Sequence, residues 1–192
     1  MLTRNNFPRN NFQGMTLIEL MIAVVIAGLL LMFAVPSYTA WLNNSQIRTA
    51  AESILDGMQL ARAEAVRQNT KVQFKLTSTV SPMMSDWQVS LPASSVVQTR
   101  SGAEGSATAR VAGIDTTGTP ATTVTFTSLG RVIVSPATNW DGSSTLTEVD
   151  VTSTATSATR SLHVLVGGVA GGGMVRMCDP ALPVANPQSC SY

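Results

Sequence analysis

The hydrophobic pattern of the chain begins with a long apolar run. Between Met15 and Val35 the only ionisable side chain is Glu19. A helix rises about 1.5 Å per residue, so about 20 such residues can cross the roughly 30 Å hydrocarbon core of a bilayer. The pattern therefore predicts a transmembrane helix over residues 15–36.

After Pro36 the pattern becomes amphipathic, with apolar residues at spacings of three and four, as in a helix that buries one face. These residues are Ile47, Ala50, Ala51, Ile54, Leu55, Met58, Ala61 and Ala65. We expect a second helical part over residues 37–69, continuous with the first, which makes one helix over 16–68. Pro36 should bend this helix rather than end it, and Asn69 can terminate it.

The rest of the chain, residues 70–192, alternates apolar and polar residues in short runs that are typical of half-buried strands. The predicted strands are 72–76, 87–91, 96–99, 124–126, 131–134, 148–151, 162–166 and 174–178. Two segments rich in Ser, Thr, Ala and Gly, 101–118 and 152–159, are predicted to be either long surface loops or poorly ordered, and no strand is assigned to them. We expect an α+β architecture in which antiparallel strands cover the apolar face of the second helical part.

Length, charge and cysteine content narrow the picture. The 192 residues suit one membrane helix and one modest globular head, and the formal charge of +1 gives no general attraction to nucleic acid. The two cysteines, Cys178 and Cys190, fall in the part of the chain that would lie outside the cytoplasm. A structural disulfide is favoured there over two reactive thiols, and it would tie the tail to the last strand.

The segment before the apolar run, residues 1–14, contains Arg4 and Arg9 and no acidic residue, which favours a cytoplasmic location. A cut after Gly14 would leave the whole apolar helix on the mature protein, unlike the cut of a secretory signal. Glu19 is costly in an apolar span and marks a functional site. The alternative is local, because Thr16 and Glu19 fit a capping box at a helix start.

These features resemble the prepilin signature of type IV pilins and type II secretion pseudopilins: a basic leader, then Gly14 followed by Met-Thr-Leu-Ile-Glu-Leu, then an apolar helix. The resemblance implies that a prepilin peptidase cuts after Gly14 and methylates the new amino terminus at Met15. It also implies that Pro36 kinks the helix and that Glu19 pairs with the amine of a neighbouring subunit during assembly.

Three further patterns are similar to the GspH/FimT family, which includes minor pilins of the FimU and FimT types. They are residues 59–66 (Gln-Leu-Ala-Arg-Ala-Glu-Ala-Val), 125–131 (Thr-Phe-Thr-Ser-Leu-Gly-Arg) and 177–180 (Met-Cys-Asp-Pro). The resemblance implies a pilin fold, a long helix packed against an antiparallel sheet head with a carboxyl-terminal disulfide. Its implied partners are other minor pilins and the major pilin, reached through the amino-terminal helix.

Enzymatic chemistry is not indicated, and we expect no cofactor and no metal ion. The one histidine, His163, lies in an alternating strand on the face opposite Val164, so it should be exposed or locally bonded rather than catalytic. The glycine-rich run 167–173 lacks the residues that end a phosphate loop, and a bend between strands explains it better.

DNA binding is a possible further function, because some FimT relatives capture DNA through a Gly-Arg-x-Arg motif. The matching residues here are Gly173, Met174, Val175 and Arg176, so the first arginine is replaced by methionine. Phosphate contacts need several cations together, and DNA binding through Arg176 is therefore not favoured.

The sequence as a whole predicts a minor pilin of the FimU/FimT type. It would be anchored in the inner membrane with its head in the periplasm, and then built into a pilus, at or near the tip, as the resemblance implies. The alternatives are a minor pseudopilin of type II secretion and a DNA-binding minor pilin.

Overall fold

The computed structural model describes residues 14–79, 81–92, 95–133, 139–155, 160–167 and 172–191. The chain divides into two compact units, Met1–Tyr38 and Thr39–Tyr192. One helix, α1 (Leu17–Arg67), contributes to both units, and it includes Pro36. The predicted single helix over 16–68 is therefore confirmed to within one residue at each end.

Helix α1 ends as its sequence predicts. Asn69 adopts a positive φ of 49°, the left-handed conformation that asparagine tolerates better than most residues. The amide of Thr70 then donates to the carbonyl of Ala65 at 3.2 Å, which satisfies a carbonyl that the helix leaves open. The chain reverses here and enters the first strand.

Eight strands follow among the described residues. They are β1 (Val72–Leu76), β2 (Trp87–Ser90), β3 (Val96–Arg100), β4 (Ala109–Ile114), β5 (Thr123–Phe126), β6 (Glu148–Ser153), β7 (Leu162–Val166) and β8 (Val175–Cys178). All neighbouring strands pair antiparallel, and they form two sheets rather than one. The first sheet has the order β3-β2-β1-β5 and the second the order β4-β6-β7-β8.

The core of the second unit lies where the carboxyl-terminal half of α1 meets the inner faces of the sheets. The helix contributes Ile47, Ile54 and Met58, all at most 1% exposed. Phe74 on β1 and Val149 on β6 are fully buried in the same cluster. The predicted apolar face of the helix is thus the buried one.

Two predictions about the strands are wrong. The segment 101–118 contains β4, although it was expected to be a loop, because the inner face of β4 carries Ala109, Val111 and Gly113 and so has little apolar volume. The predicted strand 131–134 is reduced to one bridge between Val132 and Phe126, since Gly130 closes a tight turn there with φ 70°. Residue 134 lies outside the described residues.

Two other predicted features lie partly outside the described residues. In the glycine-rich run 167–173 the structure describes Gly167, with φ 108°, and residues 172–173. In the segment 152–159 it describes residues 152–155, and β6 extends into that segment as far as Ser153. The prediction that the segment lacks strands is therefore wrong for its first two residues.

Candidate functional site

The amino-terminal part of α1 presents an apolar surface that is exposed among the described residues. Every side chain from Met15 to Val35 is exposed, and Leu17 and Phe33 are 78% and 76% exposed. Among the described residues, α1 is the one helix long and apolar enough to cross a membrane. Apolar surface of this extent marks a site of contact with lipid or with other proteins.

Glu19 lies in the first turn of α1. Its backbone amide donates to the side-chain oxygen of Thr16 at 3.3 Å, and the amide of Leu20 donates to the Thr16 carbonyl at 3.1 Å. Thr16 therefore caps the helix, as the capping-box alternative predicts. Glu19 itself is exposed. The bond to Thr16 uses the backbone amide of Glu19, so it does not engage the carboxylate.

The predicted cleavage site is exposed. A methyl group built on Gly14 would meet no heavy atom of the described residues within 4 Å, and both Gly14 and Met15 are exposed. The helix does not start until Leu17, so Gly14 and Met15 lie in non-helical chain. The leader, residues 1–13, lies outside the described residues.

The carboxyl-terminal loop is closed by a disulfide between Cys178 and Cys190, whose Cα atoms are 4.9 Å apart. This confirms the predicted pairing. Inside the loop, the amide of Asp179 donates to the carbonyl of Gln188 at 2.8 Å, and Asp179 pairs with Ser189 in a parallel bridge. The tail is therefore fixed to the end of β8 by covalent and backbone bonds.

Arg160 gives the tail a second attachment, which sequence reasoning missed. Its guanidinium lies 2.7 Å from the carboxylate of Asp179, and its backbone amide donates to the side chain of Asn44 on α1 at 3.1 Å. The three residues are far apart in sequence and carry no shared motif. Only the fold brings them together.

Several arginines among the described residues are engaged by groups of this chain. Arg176, the residue matched to the DNA motif, donates to the carbonyl of Cys190 at 3.0 Å and so serves the tail. Arg110 donates to two backbone carbonyls at 2.7 and 2.8 Å. Three others form ion pairs with carboxylates: Arg48 with Glu52, Arg67 with Glu64, and Arg160 with Asp179.

His163 is bonded locally, as predicted. It faces Glu148 and Asp150 on the neighbouring strand, with its Nδ1 2.5 Å from Glu148 and its Nε2 3.4 Å from Asp150. Burial raises the pKa of Asp150, and the charge of His163 offsets part of that effect. Among the described residues no group of three or more His, Cys, Asp or Glu could hold a metal ion.

Two family models match the chain. The model described as type II transport protein GspH matches residues 50–179, and that of the prokaryotic N-terminal methylation motif matches residues 9–35. The first covers the end of α1, from Ala50 to Arg67, and most of the head. The second covers the basic leader, the Gly14 motif and the apolar run.

A curated relative and two solved structures are also similar. The type IV major fimbrial protein FimA of Dichelobacter nodosus is 48% identical over 54 residues, which are 27% of this chain and 32% of that protein. Two crystal structures of the minor pilin FimU from Pseudomonas aeruginosa are 19% and 20% identical, with TM-scores of 0.42 and 0.44. They cover 74% and 75% of this chain and 98% and 94% of theirs.

Proposed function

The chain belongs to the GspH family, whose members are pilin-like structural proteins rather than enzymes, and on this premise we propose that it is a minor type IV pilin. This family membership confirms the resemblance predicted from the sequence. In the proposed role the protein is processed at Gly14, held in the inner membrane by α1, and then built into a pilus at or near its tip. There it helps to initiate or cap assembly.

The observation that carries the proposal is the exposed apolar part of α1 directly after the Gly14 motif. A signal that is cut behind its apolar segment would lose this helix, whereas a cut at Gly14 keeps it. The retained helix can rest in the bilayer and later pack among the helices of other subunits, since both surroundings are apolar. The match to the methylation motif over residues 9–35 supports this order of events.

Glu19 provides the chemistry for a defined assembly step. Cleavage creates a charged amine at Met15, about one helical turn before Glu19. Each charge is costly in an apolar bundle unless it is paired, so the amine of an incoming subunit would bind the carboxylate of its neighbour. Such a pair would fix the axial register between subunits.

The first experiment tests whether the leader is removed. The full chain is expressed with and without a prepilin peptidase, and its intact mass is measured. We expect the peptidase to remove residues 1–14 and add one methyl group at Met15, because Gly14 is exposed and non-helical. A Gly14→Leu variant, which should stay uncut, is the control. A chain that keeps its leader beside an active peptidase, or loses the apolar helix, would overturn the proposal.

The second candidate function is a minor pseudopilin of type II secretion. The matched family model is described as a type II transport protein, and this favours it. Deleting the gene and measuring pilus formation and protein secretion separately would distinguish the two. Loss of secretion with intact pili would favour the pseudopilin, and loss of pili with intact secretion would favour the pilin.

A further inference from the structure

Two glycines bring three parts of the head into unusually close contact. A methyl group built on Gly173 would overlap the carbonyl oxygen of Gly130 and lie 3.1 Å from Nε of Arg62. A methyl group built on Gly130 would lie 3.2 Å from a methyl carbon of Val66. The end of α1, the turn after β5 and the entry to β8 therefore meet at one place, and glycine is needed at residue 173 for that approach.

Large apolar side chains are exposed around this meeting point. Val66 is 54% exposed; Leu129, next to Gly130, is 80% exposed; and Met174, next to Gly173, is 63% exposed. A groove of about 590 Å³ lies along α1 and includes Val66 in its lining. It is lined by Gln59, Arg62, Ala63, Val66, Arg67 and Val175. We call this surface, Val66, Leu129 and Met174 with the groove, the helix-end patch.

The charge of the helix-end patch is positive. The groove lining contains two arginines and no acidic residue. Arg67 is paired with Glu64 at 2.8 Å, whereas Arg62 forms no ion pair with any of the described residues. A partner that brings a carboxylate to Arg62 would supply the missing counter-charge.

We propose that the helix-end patch binds the head of a different pilin through an apolar side chain flanked by a carboxylate. This inference rests on the proposed function and adds a contact surface on the head to the contacts expected along the amino-terminal helix. Burying Val66, Leu129 and Met174 would supply the apolar contact, and Arg62 would select the acidic partner.

Two other occupants of the helix-end patch are disfavoured, a second copy of this chain and duplex DNA. A second copy of this chain in a two-fold arrangement on this surface would set one positive helix-end patch against another and bring no carboxylate from the groove lining to Arg62, which is unfavourable. Duplex DNA would gain little from three exposed apolar side chains, and its phosphates need several cations together. A different, acidic pilin head meets both requirements.

The test uses the full mature chain in detergent, and the probes are the purified mature pilins of the same organism, each titrated separately. The variants Val66→Glu, Met174→Glu and Arg62→Glu alter the helix-end patch. Val96→Glu and Val184→Glu are matched controls, because Val96 and Val184 are 51% and 63% exposed on other parts of the head. Circular dichroism checks that each variant is folded.

We expect one acidic pilin to bind, with affinity reduced about tenfold or more by each patch variant and less than about twofold by the controls. Added salt should weaken binding to the parent chain more than to Arg62→Glu. The inference is overturned if the patch variants bind as the parent does, or if no pilin binds a chain that still enters pili. It is also overturned if the patch binds only a second copy or DNA. If the chain never enters pili, the result contradicts the proposed function, and this outcome is distinct from those that overturn the inference.

Discussion

Small residues on α1 set how closely the helix packs on the first sheet. A methyl group built on Gly57 would lie 2.8 Å from the ring of Phe74 and 3.0 Å from that of Trp87. Ser53 is 5% exposed and accepts a hydrogen bond of 2.9 Å from the indole nitrogen of Trp87. A buried indole N–H needs such a partner, so Ser53 is part of the core despite being polar.

Another single residue, Asp150, should make the free energy of unfolding depend on pH. Its pKa is raised by burial, so the folded state holds its proton more tightly than the unfolded state does. Its contribution is therefore most favourable below the unfolded pKa and falls as pH rises through the folded pKa. We expect Asp150→Asn to be as stable as the parent or more stable at pH 7, by less than about 1 kcal/mol because the group is partly exposed.

Urea unfolding at acidic and neutral pH measures this effect. The difference between Asp150→Asn and the parent should shrink at acidic pH, where the aspartate is protonated in both states. A variant that is less stable than the parent at neutral pH would show that the contact with His163 outweighs the effect of burial.

The carboxyl-terminal tail is held in place by three bonds to the rest of the head or between its own two ends. The disulfide closes it onto β8, Arg176 donates to the Cys190 carbonyl, and Arg160 binds Asp179. Within the loop, one backbone bond joins the two ends, from the amide of Asp179 to the carbonyl of Gln188. The others are short-range turns, such as the one from the amide of Asn186 to the carbonyl of Pro183. The tail should therefore lose its order once the disulfide is removed.

Replacing both cysteines by serine should destabilise the protein by about 3 kcal/mol, the chain-entropy value for a short loop. Chemical denaturation measures the loss, and hydrogen exchange should show faster exchange in residues 179–191 while β6 stays protected. An ion-pair variant, Arg160→Gln, is the control and should cost less than about 1 kcal/mol. A double serine variant as stable as the parent would mean that the backbone bonds alone hold the tail.

The sequence predicted the elements whose patterns have many large side chains. Helix α1 and seven of the strands have clear periodicity, so their predicted bounds lie close to the observed ones. Strand β4 was missed because a methyl group on its Gly113 would overlap the backbone carbonyl oxygen of Ala121, so this inner position must be a glycine and shows no apolar signal. The division into two sheets and the Gly130–Gly173 contact depend on residues distant in sequence, which local patterns do not reveal.

The whole molecule combines an exposed apolar helix with a head whose polar groups are mostly paired. Removing the leader with Arg4 and Arg9 would take the formal charge from +1 to −1. Among the described residues, Arg48, Arg67 and Arg160 form ion pairs with carboxylates. The exposed apolar helix supports the proposed role, in which the protein contacts other pilins.

We accordingly expect the mature protein to bind duplex DNA no more strongly than a neutral control protein at physiological salt. Arg176 is engaged by the tail, and the broken motif offers no second arginine beside it. A mobility-shift titration measures the affinity. Binding in the micromolar range or tighter, weakened by Arg176→Ala, would support the DNA-binding function instead.

In the proposed role, α1 carries this subunit into a pilus through a charge pair at Glu19. The most direct measurement is the amount of the protein in sheared pili from cells that express the parent, Glu19→Ala or Glu19→Gln. Glu19 is exposed among the described residues, so both variants should be processed, inserted and folded, yet be absent from pili. If both variants enter pili at the parent's level, Glu19 has no role in assembly beyond the helix start, and the account is contradicted.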